Sequence, residues 1–310
     1  MGDELIMMKR KISISILYVS FVLVLGVAVY LTENKGNLLA ATIIAAVLGV
    51  VIEKTIWRIQ DVFDNKDWKT SFRQLKRGKI INDDTLVRVS FAYLYRIKVD
   101  DKYLLVKNSR NTGKYQPVGG VYKMEDEEKL FLKNRFHVID DDDIPVDYSS
   151  QNDYRLCMKS KYLKAFVRRF NSSKSKRERV DELGREFREE LVDSRLIDWS
   201  QINYRYCGRH ITDLKFGDHF QKYELLLADI VELMPTENQL IQLKAMMKNQ
   251  SKEYCFATSK QIDCLGIDTE HGQLNEWIAD HSKKILQENE TYLSTSQYVG
   301  NLYTVDLLNV

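Results

Sequence analysis

The hydrophobic pattern divides the chain in two. Two uncharged apolar runs stand near the N-terminus, Ile12–Leu31 (ISISILYVSFVLVLGVAVYL) and Asn37–Ile52 (NLLAATIIAAVLGVVI), and almost everything after Glu53 mixes polar with apolar positions. At about 1.5 Å per residue the first run is long enough to cross a hydrocarbon core of roughly 30 Å. The second is shorter. It reaches that thickness by taking in Thr55, Ile56 and Trp57, with Glu53 and Lys54 snorkelling and Trp57 anchoring at the interface. The link Thr32–Gly36 (TENKG) has room only for a hairpin turn. Residues 1–58 are therefore expected to form a two-helix transmembrane hairpin. A cleaved signal peptide fits less well, because the first run exceeds a usual apolar core and residues 28–32 hold no small-x-small site. Lys9, Arg10 and Lys11 precede the first span, Lys54 and Arg58 follow the second, and the loop carries only Lys35. The positive-inside rule then puts both termini in the cytoplasm. Gly26, Gly49 and Ala40, Ala41, Ala45 and Ala46 offer small surfaces on which helices can approach, which permits a homo-oligomer.

The rest alternates between strand and helix periods. Residues 59–84 read as a helical juxtamembrane linker, since Ile56, Ile59, Phe63, Phe72 and Leu75 keep close to helical spacing. From 85 to 310 the pattern predicts one α/β (α+β) domain. Val87–Ile97 and Tyr103–Lys107 are strands joined by a turn at Asp100-Asp101-Lys102. In Asn111–Lys123 (NTGKYQPVGGVYK) the pair Gly119-Gly120 lets the backbone turn tightly or pass close to another group. About 125–175 is a bipolar insertion. It is acidic at Glu125–Glu128 and Asp140–Asp143, then basic in SKYLKAFVRRF, a helix able to meet phosphate, anionic lipid or a neighbouring subunit. Tyr204–Arg209, His210–Leu214 and Tyr223–Ile230 are further strands, with a turn at Lys215–Asp218 flanked by His210 and His219 as candidate bases. Leu240–Met247 and Leu274–Gln287 read as helices, the latter apolar through Trp277, Ile278, Ile285 and Leu286, and Tyr292–Val310 supplies an edge strand.

Lys176–Asp193 (KRERVDELGREFREELVD) carries the most chemistry. As a helix it has an apolar stripe of Val180, Leu183, Phe187 and Leu191 and a second stripe of Glu178, Glu182, Glu186 and Glu190, joined by Glu189. Carboxylates so spaced suit a hard divalent cation, Mg²⁺ or Mn²⁺, that also binds phosphate, and they equally suit a solvated face paired to the neighbouring arginines. Charge and cysteine narrow the field little. A net charge of +2 neither favours nor excludes nucleic acid, and no DNA or RNA partner is expected. Cys157, Cys207, Cys255 and Cys264 lack CxxC spacing and read as reduced thiols.

Arg185–Glu190 (REFREE) resembles the REUxEE core of the Nudix box, and YLLVK followed by QPVGGVYK resembles the strand and glycine pair that approach it. The resemblance covers about 87–267. It implies a mixed-sheet α/β/α sandwich, with Glu186, Glu189 and Glu190 as metal ligands and Arg185 holding a glutamate. In an enzyme Glu189 and Glu190 would be catalytic. Two departures stand out. Arg185 lies about fifty residues further from Gly120 than an uninterrupted box allows, and Val192 and Asp193 replace the closing glycine and apolar residue. Two spans followed by such a domain resemble the NUDIX-type effectors associated with bacterial CD-NTases (SMODS-associated NUDIX proteins) of CBASS anti-phage systems. That implies a protein of the bacterial inner membrane whose NUDIX domain senses a cyclic di- or oligonucleotide and damages the membrane lipid bilayer. Aromatic faces and basic side chains would make the pocket, with Arg88, Lys107, Tyr115, Gln116 and Tyr223 as nucleotide-binding candidates. The rival readings are a membrane-tethered, metal-dependent hydrolase of a nucleoside diphosphate derivative and a plain scaffold.

Overall fold

The computed structural model describes residues 2–63, 68–108, 113–141, 143, 150–267, 273–274, 277–286 and 298–309. The chain divides into two units, residues 1–70 and 71–310.

In the first unit, helices α1 (Gly2–Asn34) and α2 (Leu38–Phe63) form a hairpin. Within them Ile12–Asn34 and Leu38–Ile56 are long and apolar enough to cross a membrane, and only 6% and 11% of their apolar windows are buried in the protein. A helix from a soluble core would be mostly covered; these face outward. Several of their polar side chains are satisfied within the same helix, and Ser15 Oγ donates across the hairpin to the Arg58 carbonyl (3.2 Å). Thr32 Oγ1 donates to the carbonyls of Ala28 and Val29, Thr55 Oγ1 to that of Val51, and Asn37 Oδ1 accepts the Ala40 N–H at the start of α2. Gly36, at φ +73°, makes the reversal.

The next elements are α3 (Trp68–Arg77), β1 (Leu86–Arg96), β2 (Lys98–Val99), β3 (Lys102–Lys107), β4 (Tyr115–Gln116), β5 (Gly119–Val121), α4 (Asp126–Phe136), β6 (Ile139–Asp140), β7 (Arg155–Lys159) and α5 (Leu163–Phe170). They are followed by α6 (Arg185–Phe187), β8 (Gln201–Ile211), β9 (Lys215–Gly217), β10 (Lys222–Leu233), α7 (Glu237–Lys248), β11 (Tyr254–Thr258), α8 (Ser259–Asp263) and β12 (Leu302–Asp306). The main sheet runs β12-β8-β10-β1-β7-β6 and the smaller one β11-β3-β2, with β4 on β3. β1 is the centre. It pairs parallel with β10 and antiparallel on its other edge, with β7 along its first half and β5 along its second.

Strand alternation sorts the core. Phe91, Tyr93 and Tyr95 face one way, where Phe91 packs on Phe166 and Phe170, Tyr93 on Tyr122, and Tyr95 on Phe187 and Tyr204. Leu94 faces the other way with Ala228 and Ile230, against Tyr103, Leu105, Ala257, Ile262 and Ile285 of the smaller sheet and its flanking turns.

Three expectations are corrected. Lys176–Asp193 is not one helix: α6 has three residues and continues as a π turn, Arg188–Val192. The backbone before it already has other partners. Glu125 N–H donates to the Lys176 carbonyl, Glu178 N–H to that of Lys123, and Tyr204 and Tyr95 hydroxyls to those of Val180 and Leu183. The described residues of Leu274–Gln287 likewise form no α-helix; they hold a 3₁₀ helix, Asp280–Leu286, and residues 275–276 and Gln287 lie outside the described residues. The expected turn at Lys215–Asp218 contains strand β9 on β10.

The insertion is woven into the fold. β7 enters the main sheet, and Leu163, Phe166, Val167 and Phe170 of α5 are buried. Its acidic and basic halves close on each other at buried Glu128, which accepts from Arg169 Nε (2.9 Å) and Lys176 N–H (3.0 Å). Lys159 and Lys161 pair with Asp84. Residues 111–112 and 292–297 of the predicted loop and edge strand lie outside the described residues, and β12 takes the sheet edge beside β8.

Candidate functional site

The glycine pair of β5 passes between the β1 backbone and α6. At Gly119 (φ +145°) a Cβ would stand 2.2 Å from the Tyr93 carbonyl oxygen, and at Gly120 it would stand 2.0 Å from Glu186 Oε1. At Gly119, where the clash is with backbone, only glycine fits. Gly120→Ala has a definite cost. The Glu186 carboxylate is the far end of a flexible side chain and swings aside, losing its contact with Arg185. We expect a destabilisation of about 1–3 kcal/mol, the usual range for overpacking. An unchanged midpoint of thermal unfolding would refute the tight fit.

Arg185 is the hub. Its Nε donates to Glu178 Oε1 (2.6 Å), Nη1 to Glu186 Oε1 (2.7 Å) and, at 3.5 Å, to Glu189 Oε1, and Nη2 to the Val121 carbonyl (3.0 Å). The planar five-donor fork of arginine makes such a multiple clasp possible. Glu178 also accepts the Lys123 N–H (2.7 Å), and Glu186 N–H donates to the Tyr93 hydroxyl (3.3 Å). Glu190 turns inward: its Oε2 accepts the Gly119 N–H at 2.9 Å and its Oε1 lies 3.5 Å from Gln116 Nε2. Burial, reinforced by the charge of Glu186, pushes the Glu190 carboxyl up to about 8. Burial also raises Glu186, against the pull of Arg185. Glu189 is the outward member, with half its side chain exposed.

All these donors are carboxylate oxygens, the type Mg²⁺ or Mn²⁺ takes. As arranged, one oxygen of Glu186 and one of Glu190 already have protein partners, Arg185 and a backbone N–H respectively. Among the described residues no three His, Cys, Asp or Glu side chains converge as a ligand set.

The structure gathers some predicted pocket residues here and takes others away. Gln116 meets Glu190, and neighbouring Tyr115 sits opposite Lys107 in the β3–β4 ladder, its hydroxyl donating to the Lys252 carbonyl (3.1 Å). Arg88 and Tyr223 lie elsewhere. Arg88 is five residues before Tyr93 on β1, about 17 Å at the usual strand rise. It is buried, donates to Asp141 (2.7 Å) and Glu224 (2.8 Å), and stacks 4.0 Å from the Phe220 ring centre. Tyr223 packs on Phe216. His210 is no surface base: it is buried within β8, its Nε2 sits 3.1 Å from the Lys284 carbonyl, and burial holds it down to about 4. His219 packs on the Phe220 ring.

Sequence reading missed the clasping role of Glu178 and the hydroxyl of Tyr93. Only a tyrosine in a central strand hinted at the second. A cleft beside α6 is lined among the described residues by Glu178, Asp181, Glu182, Arg185 and Asp306, with Asp181 also paired to Arg179, so carboxylates outnumber cations there.

Comparison with known proteins adds one finding to this geometry. No curated protein matches the chain. Residues 86–286, two thirds of its length, match the family model described as the SMODS-associated NUDIX domain.

Proposed function

This chain belongs to the SMODS-associated NUDIX family, and on that premise we propose that it is a membrane-anchored effector of CBASS anti-phage defence. In this reading its NUDIX domain senses a cyclic di- or oligonucleotide, and binding drives the hairpins of a homo-oligomer to disrupt the bacterial inner membrane and arrest growth. The supporting observation is the joining, in one chain, of this family's domain to two helices long and apolar enough to cross a membrane. A soluble hydrolase has no need of such an output. The clusters of Lys and Arg at the outer ends of the spans favour cytoplasmic termini, which would place the domain where a cytoplasmic messenger is made.

NUDIX domains often use divalent metals. The inward bonds of Glu186 and Glu190 favour a receptor that works without one, whereas the retained REFREE hexapeptide favours hydrolysis of a nucleoside diphosphate derivative. Full-length protein in lipid nanodiscs separates the two. With EDTA present, a cyclic di- or trinucleotide should bind without being consumed, and added Mg²⁺ or Mn²⁺ should leave the melting temperature unchanged. Metal-dependent turnover that disappears in Glu189→Gln and Glu190→Gln would make the protein a hydrolase instead.

A further inference from the structure

β4 carries Gln116 to Glu190, and its other edge is held by residues 277–279. Tyr115 N–H donates to the Trp277 carbonyl (2.7 Å) and Ala279 N–H to the Tyr115 carbonyl (2.8 Å). These bonds pin the Trp277 backbone against β4 while the residue stays 53% exposed. Lys114 Nζ lies 5.2 Å from the centre of the indole. Asn108 N–H donates to the Lys114 carbonyl, which continues the β3–β4 ladder past Tyr115. Lys114 and Gln116 therefore leave the same face of the strand, about 7 Å apart along it.

The 3₁₀ turn Asp280–Leu286 follows directly. With three residues per turn, side chains three apart stack in columns. Ser282 and Ile285 form the buried column, and His281 and Lys284 form the next one. Asp280 pairs with Lys283, not Lys284. Among the described residues neither His281 nor Lys284 has a carboxylate at ion-pair distance. His281 is exposed and Lys284 half-buried. Partial desolvation and the charges of Lys284 and Lys114 lower His281 against the opposing charge of Asp280, and desolvation lowers Lys284 against the same carboxylate. Basic groups crowded in this way are relieved by an anion.

We propose that Trp277, Lys114, His281 and Lys284 form the nucleotide subsite of the NUDIX domain, the indole stacking on a base and the three basic side chains holding a phosphodiester. The proposal rests on the receptor reading and locates its ligand. The nucleotide lies beside Gln116 rather than on the glutamates, away from the acidic cleft, and needs no metal to bridge it. An exposed indole with cations around it is the usual recognition of an unstacked base and its backbone.

The test uses full-length protein in nanodiscs with EDTA, and cyclic di-AMP, cyclic GMP–AMP and cyclic tri-AMP as probes. Calorimetry and intrinsic tryptophan fluorescence are read together. The tightest probe should quench the fluorescence. Trp277→Ala should weaken binding about tenfold or more, the scale of one lost base–aromatic stack. Trp277→Phe should keep most of the affinity and lose the quench. Lys284→Glu should weaken binding and flatten its salt dependence, whereas the same charge change at exposed Lys248 should do neither. If the unaltered protein binds a probe but Trp277→Ala and Lys284→Glu stay within twofold of it, the subsite is wrong and the receptor reading survives. If the unaltered protein binds none of the probes, the receptor reading falls and takes the subsite with it.

Discussion

Asp229→Ala should lower the melting temperature by roughly 10 °C, at about 2–4 °C per kcal/mol for a unit of this size. Asp229 sits on β10 with no exposed surface. It accepts four hydrogen bonds of 2.7 Å, from Tyr122, Tyr206, and Arg209 Nε and Nη2. Burial alone would raise its pKa. The Arg209 charge and these hydrogen bonds outweigh burial and hold the carboxyl below its ordinary value. Truncation strands a partly buried guanidinium and two tyrosine hydroxyls, and breaking such a pair from one side costs about 3–5 kcal/mol. Asp229→Asn should fall between, since it still accepts but carries no charge. Asp229→Ala combined with Arg209→Met should recover part of the loss, because the stranded cation is gone. If the double variant is no more stable than Asp229→Ala alone, unpaired charge is not the cause. The ion pair also has a pH signature. A lowered folded-state pKa gives stability that is complete above the ordinary aspartate value and is lost as pH falls through the folded one.

Glu190→Gln should stabilise the protein at alkaline pH and change little in acid. The sign follows from a pKa raised from 4.5 to about 8 in the folded state. The folded chain holds the proton more tightly than the unfolded one. The associated stability is therefore complete below about 4.5 and is lost as pH rises through about 8. At 1.36 kcal/mol per unit, the folded state gives up about 5 kcal/mol when it must carry this charge. Glutamine keeps an oxygen for the Gly119 N–H and never ionises. Melting curves of the two proteins should coincide below about pH 4.5, diverge progressively as pH rises to about 8 and stay apart above it, with the variant melting higher. Parallel curves across that range would show that Glu190 is an ordinary solvated carboxylate.

Local features of the chain were readable without a structure. Two uncharged runs are long enough to span hydrocarbon whatever follows them, because that property depends only on consecutive residues. The REFREE hexapeptide is contiguous for the same reason. The Val-, Tyr- and Phe-rich alternation along Val87–Ile97 marked the central strand, since successive side chains of an extended chain point to opposite faces. The glycine pair announced a close approach, although not what approaches it.

Tertiary structure decided the partners. Val180, Leu183, Phe187 and Leu191 keep a helical spacing and all are buried. Most of that stretch is nevertheless no helix, because hydroxyls of Tyr95 and Tyr204 and the backbone at Lys123 occupy its backbone groups first. Arg88 reads as a cation for phosphate, yet it is neutralised by Asp141 and Glu224, 53 and 136 residues away. Trp277 reads as the apolar face of a helix, yet hydrogen bonds to β4 hold it beside Lys114. Sequence alone determined the two helices long and apolar enough to span a membrane and the acidic box, because hydropathy and short motifs act between neighbours along the chain. Which carboxylates meet which cations was decided by sheet pairing between residues far apart in sequence.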